Sequence, residues 1–266
     1  MSDETMFVEE RKVKILEYIE ENKKATVAQL CDNFKVSSAT IRNDLRDLES
    51  SNLILRTHGG AMLKTKTGFE LESDHRQIQN LEAKREIAQT ALGLIEDGDT
   101  IILDTGTTTT ELSGLLNKKH NLTVVTNDLG IALLLEEFDM VNVMLMGGIL
   151  RKHFHCTLTF GTTGKTMLSG LTVDKAFMGV NSFSFKKGAS TPDINQAETK
   201  KLMISIAATV ILLCDSSKLG QTSFAQFATI EEIDTLVTND MQESDRKRLE
   251  ESGLQIFVTN PNAQGR

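Results

Sequence analysis

The sequence predicts a two-part chain: a small N-terminal winged helix-turn-helix domain over residues 1–63, and an α/β domain with a mostly parallel sheet over residues 81–260. Three observations carry this. Short helical patterns crowd the first fifty residues and are followed by a glycine-centred hairpin pattern. From about residue 100 onward, short β-rich runs alternate with helical stretches. Between the two, "KTKTGFELESDHRQIQN" has mixed charge and little periodicity, which makes residues 64–80 the natural linker.

The first helix is expected from about Glu9 to Glu21, with Val8, Ile15, Leu16 and Ile19 available for one face. The second begins at Thr26, because "TVAQ" sets a threonine cap three residues ahead of Gln29, the spacing of a capping box. It runs to about Phe34. Only "KVS" separates it from a third helix capped by Ser37 or Ser38, a turn tight enough for a helix-turn-helix.

In that third helix, "SSATIRNDLRDL", Ile41, Leu45 and Leu48 form a narrow apolar stripe. Ala39, Asn43, Arg46 and Ser50 point the other way. Such a polar face is often only a solvated surface, yet the tight turn before it and the hairpin after it favour a DNA-reading one. Arg42 and Arg46 can fork onto guanine or phosphate, Asn43 can pair with adenine, and Ser38 or Thr40 can bind phosphate near the helix start. Asp44, at the edge of the stripe, is expected to bond within the protein. "NLILRTHGGAML" then reads as the wing, its paired glycines supplying positive φ for a tight hairpin. Arg56 and His58 fall where a wing touches the backbone or minor groove.

Composition is compatible with this reading. The net charge of −8 comes wholly from residues 67–266, whereas residues 1–66 carry 11 basic and 11 acidic side chains. Residues 35–66 hold six Lys/Arg against three acids, and local sign governs contact with a polyanion because screening confines the field to about 10 Å. The start of the sequence lacks a secretory pattern and no apolar run approaches a membrane span, so a cytoplasmic protein without membrane contact is expected. Cys31, Cys156 and Cys214 form no C-x-x-C pair and read as ordinary thiols. His153 and His155 of "HFHC" would share one side of a strand. They lack a second pair of ligands, so they read as hairpin residues and no metal or cofactor is expected.

In the larger domain a helix with Ile87, Ala88, Ala91, Leu94 and Ile95 on one face precedes seven β-rich runs: "TIILD", "LTVVTN", "VNVMLMGG", "KAFMGV", "TVILLCD", "TLVTN" and "LQIFVTN". Ligands of such sheets bind beyond the carboxyl ends of the strands. Asp104 ends the first run and leads into "TGTTTTEL", whose glycine and hydroxyls open a helix near Thr109, a candidate anion site. Asn127, Asn181 and the "CDSSKLG" segment with Lys218 lie at three further strand ends, and a lysine reaches phosphate as a point charge.

At this point the motifs converge. "RKVKILEYI", seventeen residues, then "SSATIRNDLRDLESSNLILRTHGGA" resembles the signature of DeoR-type bacterial transcriptional regulators, at Arg11, Ile15, Ile19, Ser37, Thr40, Ile41, Arg42, Asp44 and Leu45. "LDTGTTTTEL", "VVTND", Gly147-Gly148, "FMGVNSF", "QAETKKLMI" and "CDSSKLG" extend the resemblance along the rest of the chain. It implies a sensor domain related in fold to ribose-phosphate isomerases, binding a phosphorylated sugar or polyol. By that analogy Thr105, Gly106, Thr107, Thr108, Thr109 and Lys218 hold the phosphate, and Asp104, Asn127, Asn181 and Glu198 meet hydroxyls. At Asn181 the sequence departs from the aspartate of many relatives.

The implied function is a repressor of sugar metabolism genes, bound to a double-stranded operator as a homo-oligomer, dimer or tetramer, and modulated by the sugar phosphate. A sugar-phosphate isomerase is the alternative, with Asp104, Asp193, Glu198 and Asp215 as candidate carboxylates. It is disfavoured because Asn181 cannot take a proton at neutral pH and an isomerase needs no DNA-binding head.

Overall fold

The computed structural model describes residues 7–22, 24–50, 53–63, 70 and 73–259. The chain divides into two compact units, Met1–Leu71 and Glu72–Arg266. No helix among the described residues is long and apolar enough to cross a membrane.

In the first unit, α1 (Val8–Asn22), α2 (Val27–Phe34) and α3 (Ser38–Ser50) accompany β1 (Lys24–Thr26), β2 (Ile54–Thr57) and β3 (Gly60–Leu63). The capping box forms: the Thr26 side chain accepts from Gln29 N, and the Gln29 side chain accepts from Thr26 N at 2.8 Å. Lys35, in the left-handed region at φ 54°, ends α2, and Ser37 caps α3 by accepting from Thr40 N at 3.2 Å. Ile15, Leu16, Ile19, Leu30, Ile41, Leu45 and Leu48 bury together with Leu53 and Ile54, so the apolar stripes of all three helices meet in one small core.

β2 and β3 make the expected hairpin, with Thr57 opposite Gly60 and His58-Gly59 in the turn. The role of its glycines differs from expectation, since neither lies in the left-handed region. Gly60 is instead required by β1, a strand not legible beforehand: a Cβ there would collide with the Ala25 carbonyl oxygen and lie 2.7 Å from Thr26 Cα.

The second unit starts inside the expected linker. Residues 64–69, 71 and 72 of that stretch lie outside the described residues, but Ser73–Ile78 is a helix, α4. Along the rest of the chain come α5 (Leu81–Leu92), β4 (Thr100–Leu103), α6 (Thr107–Ser113), β5 (Leu122–Thr126), α7 (Leu129–Leu135) and β6 (Val141–Leu145). The hairpin β7 (Ile149–Arg151) and β8 (Cys156–Leu158), α8 (Gly161–Leu168), β9 (Val173–Gly179), β10 (Ser182–Ser184) and β11 (Gly188–Thr191) follow. Last are α9 (Ile194–Ser205), β12 (Ala207–Leu213), β13 (Ala225–Ala228), β14 (Thr235–Thr238), α10 (Glu243–Glu250) and β15 (Gln255–Val258).

The seven runs read as strands form one seven-stranded sheet in the order β15-β14-β12-β9-β4-β5-β6, with every pairing parallel. Ile101, Leu103, Phe177, Ile211 and Leu213 bury on one face with α5, α6 and α7, while Ile102, Ala176, Met178 and Leu212 bury on the other with Leu168, Met203 and Leu249 of α8, α9 and α10. Both faces being covered explains why these strands are nearly continuous apolar runs. From β4 the sheet grows one way through β5 to β6, and from β9 the other way to β15. Right-handed crossovers growing in opposite directions must put their helices on opposite faces, as observed. The growth direction reverses between β4 and β9.

A smaller antiparallel sheet, β10-β11-β13, adjoins the end of β9. His153 and His155 occupy the β7-β8 turn at φ 65° and 53°, so they share no strand face. At the sheet's β6 edge, Leu129, Ala132, Leu133, Val141, Val143 and Leu145, with Glu136 and Asn142 among them, line a groove of about 560 Å³, and Leu133 is 67 % exposed.

Candidate functional site

Two surfaces take shape, one in each unit. In the first, burial separates the α3 positions cleanly: Ile41, Asp44, Leu45 and Leu48 are buried, while Ser38, Arg42, Asn43 and Arg46 are exposed and Thr40 is half-buried. Arg42 Nη1 donates to Ser38 Oγ at 3.2 Å, and Arg46 Nη1 donates to Asn43 Oδ1 at 3.3 Å. The polar groups therefore orient one another along the outer face. Asp44 does bond within the protein. Its carboxylate takes Arg11 Nε at 2.7 Å and Nη2 at 3.2 Å, a buried fork that pins α3 to α1. Breaking such a pair by removing one partner costs about 3–5 kcal/mol, which fixes the pitch of the exposed face. His58 is exposed at the hairpin turn. Arg56 lies within β2 and is tied to Glu49 at 3.5 Å, so part of its charge is already met.

The second surface is at the carboxyl ends of β12, β9, β4 and β5, four neighbours that span the reversal of growth direction, where open α/β sheets bind ligands. Asp104 ends β4 fully buried, and its Oδ2 accepts from Gly179 N at 2.9 Å and forms an ion pair with Lys200. Burial pushes the Asp104 carboxyl above the usual range, against the pull of Lys200. Gly179 needs its lack of a side chain, because a Cβ would lie 3.1 Å from Thr105 O and 3.4 Å from Asp104 Oδ2.

The loop after β4 is braced from beneath. Thr105 N donates to Asn127 Oδ1 at 3.1 Å, Thr105 Oγ1 donates to Asp128 at 2.7 Å, and Asn127 Nδ2 donates to Thr157 O at 2.8 Å. Thr109 and Thr110 hydroxyls return to the Gly106 carbonyl at 2.7 and 2.9 Å. The helix opens at Thr107, two residues earlier than expected, with Gly106 and Thr107 half-exposed and Thr108 and Thr109 buried. Asn127 is thus spent largely on holding the loop.

After β12, Lys218 Nζ meets the buried Asp215 at 2.9 Å, and Asn80 Nδ2 donates to Asp215 at 3.2 Å. Burial alone would raise Asp215, but Lys218, the Ser217 hydroxyl and Lys84 bring it down to about 2. Lys84, buried in α5 and capping the carbonyls of Arg76 and Gln79, is lowered to about 8 by burial and by repulsion from Lys218. After β9, Asn181 Oδ1 is 3.0 Å from Thr191 Oγ1, which also reaches Gln196 Oε1 at 2.6 Å; Arg151 Nη1 donates to that same Gln196 oxygen at 3.3 Å.

The structure thus gathers Asp104, Thr105–Thr109, Asn127, Asn181 and Lys218 at adjoining strand ends. Glu198 is exposed on α9 and pairs with Lys201 at 3.0 Å. Of the four carboxylates open to an isomerase, Asp104 and Asp215 pair with lysines, Glu198 pairs outward and Asp193 caps α9 by accepting from Asn195 and Gln196 N–H. Lys200, Lys84, Arg151, Thr191 and Gln196 were not legible as site residues. Lys200 stands beside Lys201 in "ETKKLM", and only its burial tells the two apart.

Comparison with known proteins agrees with this division. Residues 11–67 match the DeoR-like helix-turn-helix domain, and residues 79–240 match the DeoR C terminal sensor domain. The HTH-type transcriptional regulator GlpR of Haloferax volcanii is 38% identical over 252 residues, covering 94% of this chain and 98% of its own. The HTH-type transcriptional repressor GlcR of Bacillus subtilis is 36% identical over 256 residues, covering 96% and 97%. Among solved structures, a D-ribose-5-phosphate isomerase in complex with phospho-erythronic acid aligns with 52% of this chain and 54% of its own at 22% identity and a TM-score of 0.39. With a helix-turn-helix in one unit, a parallel sheet in the other and both domain types matched in order, the chain belongs to the DeoR family of DNA-binding transcriptional regulators.

Proposed function

We propose that this regulator is a cytoplasmic repressor of sugar metabolism genes. It binds a double-stranded operator through α3 and the wing, and a phosphorylated sugar at the carboxyl ends of β12, β9, β4 and β5 modulates that binding. In this reading residues 1–63 read DNA, 64–80 join, and 81–260 sense. The observation that carries it is the separation on α3, where Ser38, Thr40, Arg42, Asn43 and Arg46 are left to the outside by a helix whose other face is fully committed. Arg56 and His58 add wing contacts.

In the sensor unit, Thr105, Gly106, Thr107, Thr108, Thr109 and Lys218 are assigned to the phosphate, and Asp104, Asn127 and Asn181 to hydroxyls; Glu198, exposed on α9 and paired with Lys201, lies outside this group. A single recognition helix reads only a short half-site, so useful specificity needs at least two copies. The β6 strand, itself without charge, and Leu133 projecting beside a mainly apolar groove that also holds Glu136 support self-association there, since like edges pair by a two-fold.

Linkage supplies the mechanism: an effector that prefers the conformation with wrongly spaced heads weakens operator binding by the factor that operator weakens its own. A duplex selected from random sequence by the purified protein gives the assay. Arg42→Ala, Asn43→Ala and Arg46→Ala are each expected to weaken binding about 5- to 100-fold, one base contact's worth, with sugar-phosphate binding intact. Lys218→Ala and Thr107→Ala are expected to keep operator affinity and stop the response to sugar phosphate. Unchanged operator affinity in all three α3 variants at low salt would refute the DNA-reading assignment.

A further inference from the structure

Helix α9 buries an unusual face. Gln196, Thr199 and Lys200 are 3 %, 0 % and 1 % exposed, the latter two each about one turn after Gln196, so that all three share the buried side of the helix. Thr199 is accounted for by Thr159 and Asn195, whose carbonyls its hydroxyl meets at 3.0 and 2.9 Å. Lys200 is the costly one, because a buried ammonium must recover its hydration from the protein. It does so completely: Nζ pairs with Asp104 Oδ2, donates to Gly179 O at 2.9 Å, and stands 5.0 Å from the centre of the Phe227 ring.

Its partner is left lopsided. Lys200 and Gly179 N both converge on Asp104 Oδ2, while Oδ1, equally buried, takes no well-formed hydrogen bond among the described residues, the Thr105 backbone N–H only pulling on the carboxyl. A carboxylate kept only for structure is expected to satisfy both oxygens. This one sits at the carboxyl end of β4 beside the end of β9, with the loop of Thr105 directly after it.

We propose that Lys200 is a positioning residue of the effector site: it fixes Asp104 by Oδ2 so that Oδ1 stays available to accept a hydrogen bond from a hydroxyl of the ligand. This rests on the sugar-phosphate reading above and deepens it. An ionised carboxylate is an acceptor only, so it takes a hydroxyl and rejects a phosphate oxygen. Lys200 therefore governs how the polyol part is read and leaves phosphate capture to other groups.

The full-length protein tests this by calorimetry with ribose 5-phosphate, fructose 6-phosphate, their monodeoxy analogues and inorganic phosphate. Asp104→Asn with Lys200→Met removes both charges together and avoids stranding either in the interior. The expected result is a 10- to 100-fold loss for the sugar phosphate that binds the wild type, about the value of one hydrogen bond to a charged group, with inorganic phosphate unaffected. Removing the matching hydroxyl from the sugar is expected to cost the wild type the same factor and the double variant nothing.

Equal sugar-phosphate affinity in wild type and double variant would overturn the role of Lys200 while leaving the sugar-phosphate site standing. Equal losses for inorganic and sugar phosphate would also overturn it, as they mark a purely structural pair. Failure of the wild type to bind any of the sugar phosphates would overturn the underlying reading and this one with it. A readout independent of any variant is the carboxyl 13C spectrum of aspartate-labelled wild type. The sugar phosphate is expected to shift a resonance that inorganic phosphate leaves in place, and identical spectra with the two ligands would refute the proposal.

Discussion

At the scale of single residues, buried charges carry the most information about the sensor unit. Asp215 shows how to read one. Its carboxyl lies at about 2 in the folded chain, against about 3.9 for an unfolded aspartate. A depressed carboxylate contributes stability that is present above the unfolded value and lost as pH falls through the folded one. Here that is about 2–3 kcal/mol, lost across the window between about pH 4 and 2. Asp215→Asn is therefore expected to unfold at lower urea concentration than wild type at pH 7, with the gap narrowing as the pH drops below 4. A gap independent of pH would show that Asp215 is not charged by its lysine neighbours. Lys84 and Lys218, which hold Asp215 down, also repel each other, so the same variant is expected to lower Lys84 further below its present value of about 8.

At the scale of elements, the wing illustrates why a correct element can rest on a misread cause. "THGGA" does form the hairpin, yet neither glycine adopts left-handed backbone, and it is Gly60 that serves close approach. Three residues of β1 lie against β3, and Ala25 faces Ala61 across the pair, so the chain before α2 passes directly over Gly60. Gly60→Ala is expected to cost about 1–3 kcal/mol from overpacking, since its contact is backbone that cannot swing aside. Operator binding is expected to fall with it, while the melting of the second unit stays put. Calorimetry resolving the two transitions checks this, and a wild-type first transition would mean that β1 is not clamped to the wing. On α2, the capping box is the opposite case: the side chains named by spacing make the bonds that spacing implies, because both partners lie within three residues.

At the scale of the whole molecule, the demand for two recognition helices meets the exposed edge of the sheet. β6 carries no charged residue and its neighbour α7 presents Leu133 to solvent. Edge strands of monomers are normally blunted by charge or proline. Leu133→Glu is expected to halve the mass seen in sedimentation and to weaken operator binding at least tenfold, with the spectrum of the fold unchanged. An unaltered mass would move the contact between copies to another surface. The variant leaves the groups at the strand ends untouched, so sugar-phosphate binding by the separated copies is expected to persist.

What the residues alone determined was local. Helix caps, the apolar stripe of α3 and the seven sheet strands all follow from periodicities of two to four residues, and these are written in neighbouring side chains. The positions of Asp104, Asn127, Asn181 and Lys218 could be named because each ends a strand, and the ends of adjacent parallel strands are neighbours in any such sheet. Tertiary structure alone decided which of Lys200 and Lys201 turns inward, that Glu198 points outward, and that Lys84 joins Lys218 around Asp215. Those choices depend on contacts between segments 96 and 135 positions apart. Burial sets the strength of such contacts, and no local pattern records it.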